Sequence, residues 1–105
     1  MVQFTVYENP SRASRKTFPF LLDIQADLLS DLRTTVVIPL CPAAAISDDI
    51  ITKLCPVVEI RSKRFIVLTQ QIAGVDRKIL GKAVADLSRY RPEIIAALDF
   101  VLSGI

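Results

Sequence analysis

A chain of 105 residues is one domain's worth of sequence, long enough for a single core without disulfide staples. Its 51% apolar composition and mean hydropathy of +0.44 are high for that size, so part of the apolar surface is expected in an oligomer interface or a partner site. The net charge of +2 is too small to argue for nucleic acid, the absence of histidine beside only two cysteines removes most ligands of a transition-metal site, and no stretch approaches the roughly 20 apolar residues of a membrane span.

Val2, Phe4 and Val6 alternate with Gln3, Thr5 and Tyr7, the period of a half-buried strand. The chain enters this pattern directly, without a basic region and an apolar block, so secretion is not expected. Glu8 to Lys16 reads as a loop around Asn9-Pro10-Ser11, and Phe18 to Ile24 as a second strand with Pro19 near its start or on an edge. The two strands are expected to pair as an antiparallel hairpin. Gln25 to Arg33 is a polar connector whose Leu28 and Leu29 need burial somewhere. Thr34 to Leu40 is the most β-like run, continuous enough to be buried on both faces, with Pro39 demanding a bulge or an edge.

Between Pro42 and Leu54 the spacing suits a short helix capped by Ser47, with Asp48, Asp49 and Ile50 in its first turn. Pro56 to Ile60 and Arg64 to Thr69 are two more strands, separated by Arg61-Ser62-Lys63, the length of a tight hairpin. Gln70 to Asp76 is expected as an irregular turn containing Gly74, and Arg77 to Ala83 as a last short strand. Val84 to Ile105 then reads as one amphipathic helix with a short apolar tail: Val84, Leu87, Ile94, Ile95, Leu98, Val101 and Leu102 recur at steps of three and four, opposite Arg89, Arg91, Glu93 and Asp99. Its start lies between Asp86 and Pro92, with Ser88 as N-cap or Pro92 as the first helical residue. Its end is expected near Leu102 or Ser103, because Gly104 can take positive φ. Ile105 either folds back onto the body or is presented to a partner.

No glycine-rich phosphate loop is present, since the three glycines all follow residue 73, and no Ser/His or Cys/His pair exists for nucleophilic catalysis. Cys41 and Cys55, each within Leu-Cys-Pro, fit either a disulfide or two small buried apolar residues, and the second is expected. The basic clusters Arg12, Arg15, Lys16, then Arg61, Lys63, Arg64, then Arg77, Lys78, Lys82 read as solvated loops without interleaved aromatics. Asp23, Asp27 and Asp31, four residues apart, read as a solvated acidic face. Together the elements make a mainly β fold, an antiparallel sheet or small barrel of five or six short strands with a terminal helix packed on it.

Several blocks in register carry a family resemblance: Gln3-Phe4-x-Val6-Tyr7, Asp23-Ile24-Gln25-x-Asp27, Val37-Ile38-Pro39-Leu40, Pro56-Val57-Val58-x-Ile60, Val84-Ala85-Asp86-Leu87-Ser88 and Gly104-Ile105. In this order they resemble the CcdB family, the toxin halves of plasmid and chromosomal toxin–antitoxin modules. The resemblance implies a CcdB/MazF-type SH3-like barrel of five to six antiparallel strands with a C-terminal α-helix, filling residues 1–105 as a single domain. It also implies a symmetric homodimer in the cytoplasm, with no cofactor, no catalytic residues, no membrane and no nucleic-acid contact outside its complexes. The expected activity is inhibition rather than catalysis: binding the A subunit of DNA gyrase and trapping the cleaved DNA complex, with neutralisation by a CcdA-like antitoxin.

For the gyrase-binding surface the resemblance implies Gln3, Phe4, Tyr7, Gly104 and Ile105 as matching positions. Leu28 and Leu29 stand in place of branched isoleucines, Asp99 in place of an asparagine, and Ser103 where the best-known member has tryptophan. Antitoxin contacts are not assigned. Two other readings stay open: a homologue that keeps antitoxin binding without toxicity, and a MazF-type endoribonuclease.

Overall fold

The computed structural model describes residues 3–45 and 53–104. Val2 of the first strand, the Ser47, Asp48, Asp49 and Ile50 cap and the Ile105 tail lie outside the described residues. Within them, seven strands form one antiparallel sheet: β1 (Thr5–Glu8), β2 (Phe20–Asp23), β3 (Thr34–Pro42), β4 (Val57–Ile60), β5 (Lys63–Val67), β6 (Ala73–Asp76) and β7 (Ala83–Asp86), followed by α1 (Arg91–Ser103). The path runs β4-β5-β3-β2-β1-β7, with β6 joined to β3. The strands curl into a half-barrel with the helix against them, the mainly β-plus-α architecture expected.

β3 is the spine. One edge pairs with β2 through Val37–Leu40, while the other pairs first with β6 through Thr34–Val37 and then with β5 through Leu40–Pro42. Pro39 sits at the handover between those two partners. Its carbonyl still accepts from Leu68 N at 3.1 Å, and its missing N–H falls where neither strand needs one. The expected demand for a bulge or edge at Pro39 is met by this change of partner.

Alternation along the strands divides the apolar residues between two clusters. Phe65 and Val67 of β5, with Ile38 and Leu40 of β3 and Val6 and Leu22 of the β1–β2 hairpin, face the core that α1 closes with Ile94. Ile66 points the other way, to Cys41, Cys55 and Leu68. This two-sided burial is why β3 and β5 read as nearly continuous apolar runs.

The β4–β5 hairpin closes on Arg61 and Ser62 at φ +53° and +68°, a two-residue turn of type I′ in which neither residue is glycine. Ser62→Gly relieves the left-handed strain there, and equilibrium urea unfolding is expected to show a gain of about 1 kcal/mol.

Three sequence expectations are corrected. Gln70 to Asp76 is not simply a turn: after a 3-10 turn at Thr69–Gln71, Ala73–Asp76 is extended as β6. Ala-Gly-Val-Asp has little strand propensity, but the half of β3 that β5 leaves uncovered supplies the pairing edge, so tertiary context decides. Arg77–Ile79 is a 3-10 turn rather than strand, capped by the Asp76 carboxylate accepting from Lys78 N at 2.9 Å. The last strand is instead Ala83–Asp86, so Val84 is no part of the helix, while α1 begins at Arg91, inside the expected range from Asp86 to Pro92, with Pro92 in its first turn. Val84 and Leu87 have helical spacing, but β7 is committed to β1, and Leu87 N donates to Phe4 O at 2.8 Å.

The helix stops as expected. Gly104 at φ +75° donates to Phe100 O at 2.8 Å. Among the described residues no helix is long and apolar enough to cross a membrane.

Both cysteines are free and buried, as the two-thiol reading expected. Burial pushes both thiols up from their ordinary range. Burial, with the Asp23 carboxylate adding to it, raises the Tyr7 phenol in the same way. Acids that keep their protons longer when folded than when unfolded contribute stability that is whole below the unfolded pKa and is lost as pH rises through the folded value. Unfolding free energy should therefore decline above about pH 8.5, where unfolded thiols begin to ionise. A Cys41→Ala/Cys55→Ala variant measured from pH 7 to pH 10 should show a shallower decline.

Candidate functional site

The connector between β2 and β3 presents apolar side chains to solvent. Asp27–Leu29 makes one 3-10 turn, with Leu28 94% exposed and Leu29 45%. Sequence reading left these two leucines in need of burial; within the chain Leu28 finds almost none and Leu29 is about half covered. The turn is nevertheless tied down on several sides. Gln3 N donates to Asp27 Oδ1 at 2.6 Å, Gln3 Nε2 to Ile24 O at 3.0 Å, and Gln25 Nε2 to Leu29 O and Thr34 O at 3.1 and 3.2 Å.

Beneath the connector lies a polar cluster that secures it. Asp23 is 2% exposed; its Oδ1 accepts from Thr35 Oγ1 at 2.8 Å and Gln25 N at 3.1 Å, and its Oδ2 lies 3.7 Å from Arg77 Nη1. Arg77 extends this to the connector backbone, with Nε donating to Leu32 O at 2.6 Å and Nη2 to Leu29 O at 3.3 Å. The reading of Asp23, Asp27 and Asp31 as one solvated face is thus corrected. Asp23 belongs to a strand and is buried, whereas Asp27 and Asp31 are exposed as expected, Asp27 accepting a backbone N–H as well.

Phe4 introduces the first strand at φ +70°, a left-handed conformation that costs a phenylalanine about 1–2 kcal/mol. It is held by Phe4 N donating to Asp23 O at 2.7 Å and Phe4 O accepting from Leu87 N. The result turns the Phe4 ring into the core, 2% exposed, and leaves Gln3 at the surface, where Arg91 Nη1 donates to Gln3 Oε1 at 3.1 Å. The Arg91 guanidinium also lies 5.5 Å from the Phe4 ring centre. Phe4 and Tyr7, 2% and 8% exposed, offer almost no surface: Phe4 packs into the core with Val6, while Tyr7, on the alternate face of β1, lies by Asp23 and Arg77. They support the site rather than line it.

The remaining expected residues lie in the second half of α1 and at its end, Asp99 about 12 Å and Ser103 about 18 Å along the axis from Arg91 at 1.5 Å per residue. Asp99 and Ser103 line a shallow pocket of about 430 Å³ with Lys53, Ala96 and Leu102. Ser103 Oγ donates to Asp99 O at 2.7 Å, Lys53 Nζ stands 5.4 Å over the Phe100 ring, and Leu102 is 83% exposed. Gly104 caps this end. The chain therefore groups Gln3, Leu28 and Leu29 near the start of the helix and Asp99, Ser103 and Gly104 toward its end, without joining the two groups.

Sequence reasoning missed Arg77 and Arg91. Arg77 was grouped with Lys78 and Lys82 as a solvated cluster, and only the pairing of β6 with β3 brings it beneath the connector.

Comparison with known proteins places this geometry. A family model described as CcdB protein matches residues 3–104. Among solved structures the fold is similar to an endoribonuclease in complex with its cognate antitoxin from a mycobacterial species, with a TM-score of 0.76 over 97% of this chain and 94% of that one, at 13% identity. At that identity the likeness is one of fold.

Proposed function

The chain belongs to the CcdB family of toxin–antitoxin toxins, and from that premise we propose that it binds the A subunit of DNA gyrase and traps the complex with cleaved DNA. The observation that carries this reading is Leu28, 94% exposed on a turn held by Gln3, Gln25 and Arg77. An apolar side chain on a backbone already held in place requires little backbone ordering on binding, so more of its burial by a partner goes into affinity. Gln3 and Leu29 flank it, and Asp99, Ser103, Gly104 and Ile105 form the second contact group.

The protein acts as a cytoplasmic homodimer, which presents both groups twice to a two-fold target and covers part of the exposed apolar surface. It inhibits gyrase without performing catalysis or holding a cofactor. A CcdA-like antitoxin neutralises it. The solved neighbour's antitoxin complex supports a partner of that kind.

Titration of the purified dimer against the isolated dimerisation fragment of the gyrase A subunit tests this reading, with a variant lacking Gly104 and Ile105 beside it. The expected result is binding by the intact protein and none by the truncated one. No binding by folded, dimeric intact protein overturns gyrase poisoning for that enzyme and favours the homologue that keeps antitoxin binding without toxicity. The ribonuclease reading draws support only from the shared fold. The most enclosed polar cluster, Asp23, Thr35 and Arg77, is internally bonded beneath the connector, where a structural part suits it better than acid–base work on RNA.

A further inference from the structure

Arg89 and Arg91 flank Tyr90 at the entry to α1 and reach in different directions. Arg89 turns to β4, which ends the strand order and has an otherwise open outer edge. Its Nη2 donates to Glu59 O at 3.2 Å, and the Tyr90 hydroxyl accepts from Glu59 N at 3.1 Å, so this pair closes the edge and serves the fold. Arg91 turns instead to the start of β1, where its Nη1 donates to Gln3 Oε1 at 3.1 Å. The backbone there is already held without it: Gln3 N donates to Asp27 Oδ1, Phe4 N to Asp23 O, and Phe4 O accepts from Leu87 N. Among the described residues Arg91 has no ion pair, it is exposed, and a cation in the first turn of a helix opposes the helix dipole. What its bond orders is one side chain.

That side chain is held in a single orientation. Gln3 Nε2 donates to Ile24 O at 3.0 Å, while Gln3 Oε1 faces a guanidinium, which carries donors alone. A flipped amide would set oxygen against oxygen and nitrogen against a cation. One N–H of Nε2 is left over, next to the turn that carries Leu28. The guanidinium has its own seat, 5.5 Å from the Phe4 ring centre, close enough for the ring face to attract it. The left-handed backbone of Phe4 therefore does two things: it leaves Gln3 at the surface and gives Arg91 a ring to rest on.

We propose that Arg91 is a positioning residue for the connector group: it locks the Gln3 side chain so that the remaining amide N–H is presented, already ordered, to an acceptor oxygen of the partner that covers Leu28. Glutamine has much rotamer freedom to lose on binding, and fixing it beforehand keeps that cost out of the affinity. The proposal rests on the gyrase reading for the identity of the partner, and on this geometry alone for the locking.

The test follows the Gln3 side-chain amide by NMR in the purified, 15N-labelled protein, the signal being assigned by its loss in Gln3→Ala. In the parent its order parameter is expected above about 0.6, and in Arg91→Leu below that value. Arg91→Lys, which keeps a cationic donor, should restore much of the order. Titration against the gyrase A-subunit fragment should show Arg91→Leu binding about 5- to 10-fold more weakly, the scale of one side chain left to be ordered, with Arg91→Lys recovering most of the loss. In a Gln3→Ala background Arg91→Leu should cost nothing more. Unfolding curves establish that each variant is folded.

A Gln3 amide that is mobile in the parent, or equally ordered in Arg91→Leu, would overturn the proposal. So would unchanged affinity in Arg91→Leu, or a loss that persists in the Gln3→Ala background, since Arg91 would then touch the partner itself. If the parent does not bind the fragment, the gyrase reading alone sinks, and the amide signals still decide whether Arg91 locks Gln3.

Discussion

Arg77→Met is expected to lower the unfolding free energy by about 3–5 kcal/mol, the usual cost of removing one member of a buried ion pair. The guanidinium side chain is 16% exposed and the Asp23 side chain 3%, so solvent screens the pair little. Methionine fills a similar volume but leaves the Asp23 carboxylate buried with its hydrogen bonds from Thr35 Oγ1 and Gln25 N and without a countercharge from Arg77. It also frees the carbonyls of Leu29 and Leu32, which are exposed enough for water to replace the lost donors at small cost. Most of the penalty therefore sits on Asp23. For a domain of this size, stabilised by some 5–15 kcal/mol, the melting temperature should fall by roughly 15 °C or more. A loss below about 1 kcal/mol in urea unfolding would show that Asp23 is not dependent on Arg77. The same variant separates stability from presentation: among molecules that remain folded, the connector loses its anchor to β6, and gyrase-fragment affinity should fall although no contact residue has changed.

The sequence reading succeeded where local pattern and tertiary role coincide. The β1–β2 hairpin, β3, the β4–β5 hairpin and the C-terminal stop at Gly104 were each legible, because alternation, β-branching or a left-handed glycine suits the same element at both levels. It failed where a distant partner overrules the pattern. Ala73–Asp76 is a strand because β3 has an open edge, and Val84–Leu87 keeps helical spacing while its backbone is bonded to β1. The candidate site divides the same way. The capped end at Ser103–Gly104 follows from local sequence, whereas Leu28, expected to find burial, stands exposed. The clamp from Arg77 to Asp23 spans fifty-four residues of chain, and no periodicity joins its ends. Phe4 follows the alternation, which turns it to the core, and its left-handed backbone, which leaves Gln3 at the surface, is not legible in the spacing.

Leu28→Asp is expected to abolish most gyrase binding without disturbing the fold. At 94% exposure the side chain contributes almost no burial within the chain, so the unfolding free energy should change by no more than about 0.5 kcal/mol. At an interface the same leucine would bring about 1.5–3 kcal/mol when fully buried, and a carboxylate in its place must be desolvated without a partner. The combined effect is a loss of about 30-fold or more in affinity for the gyrase A-subunit fragment, where each 1.4 kcal/mol is tenfold. Leu102→Asp makes the informative companion, since Leu102 is 83% exposed at the other end of α1. If the two contact groups work together across a dimer, both substitutions weaken binding while leaving the melting temperature in place. If Leu28→Asp alone weakens it, the connector is the contact and the end of the helix serves another surface. If instead Leu28→Asp leaves gyrase affinity intact but disrupts the dimer on a sizing column, the exposed connector is a subunit interface, and the gyrase surface must be sought at the Asp99–Gly104 end.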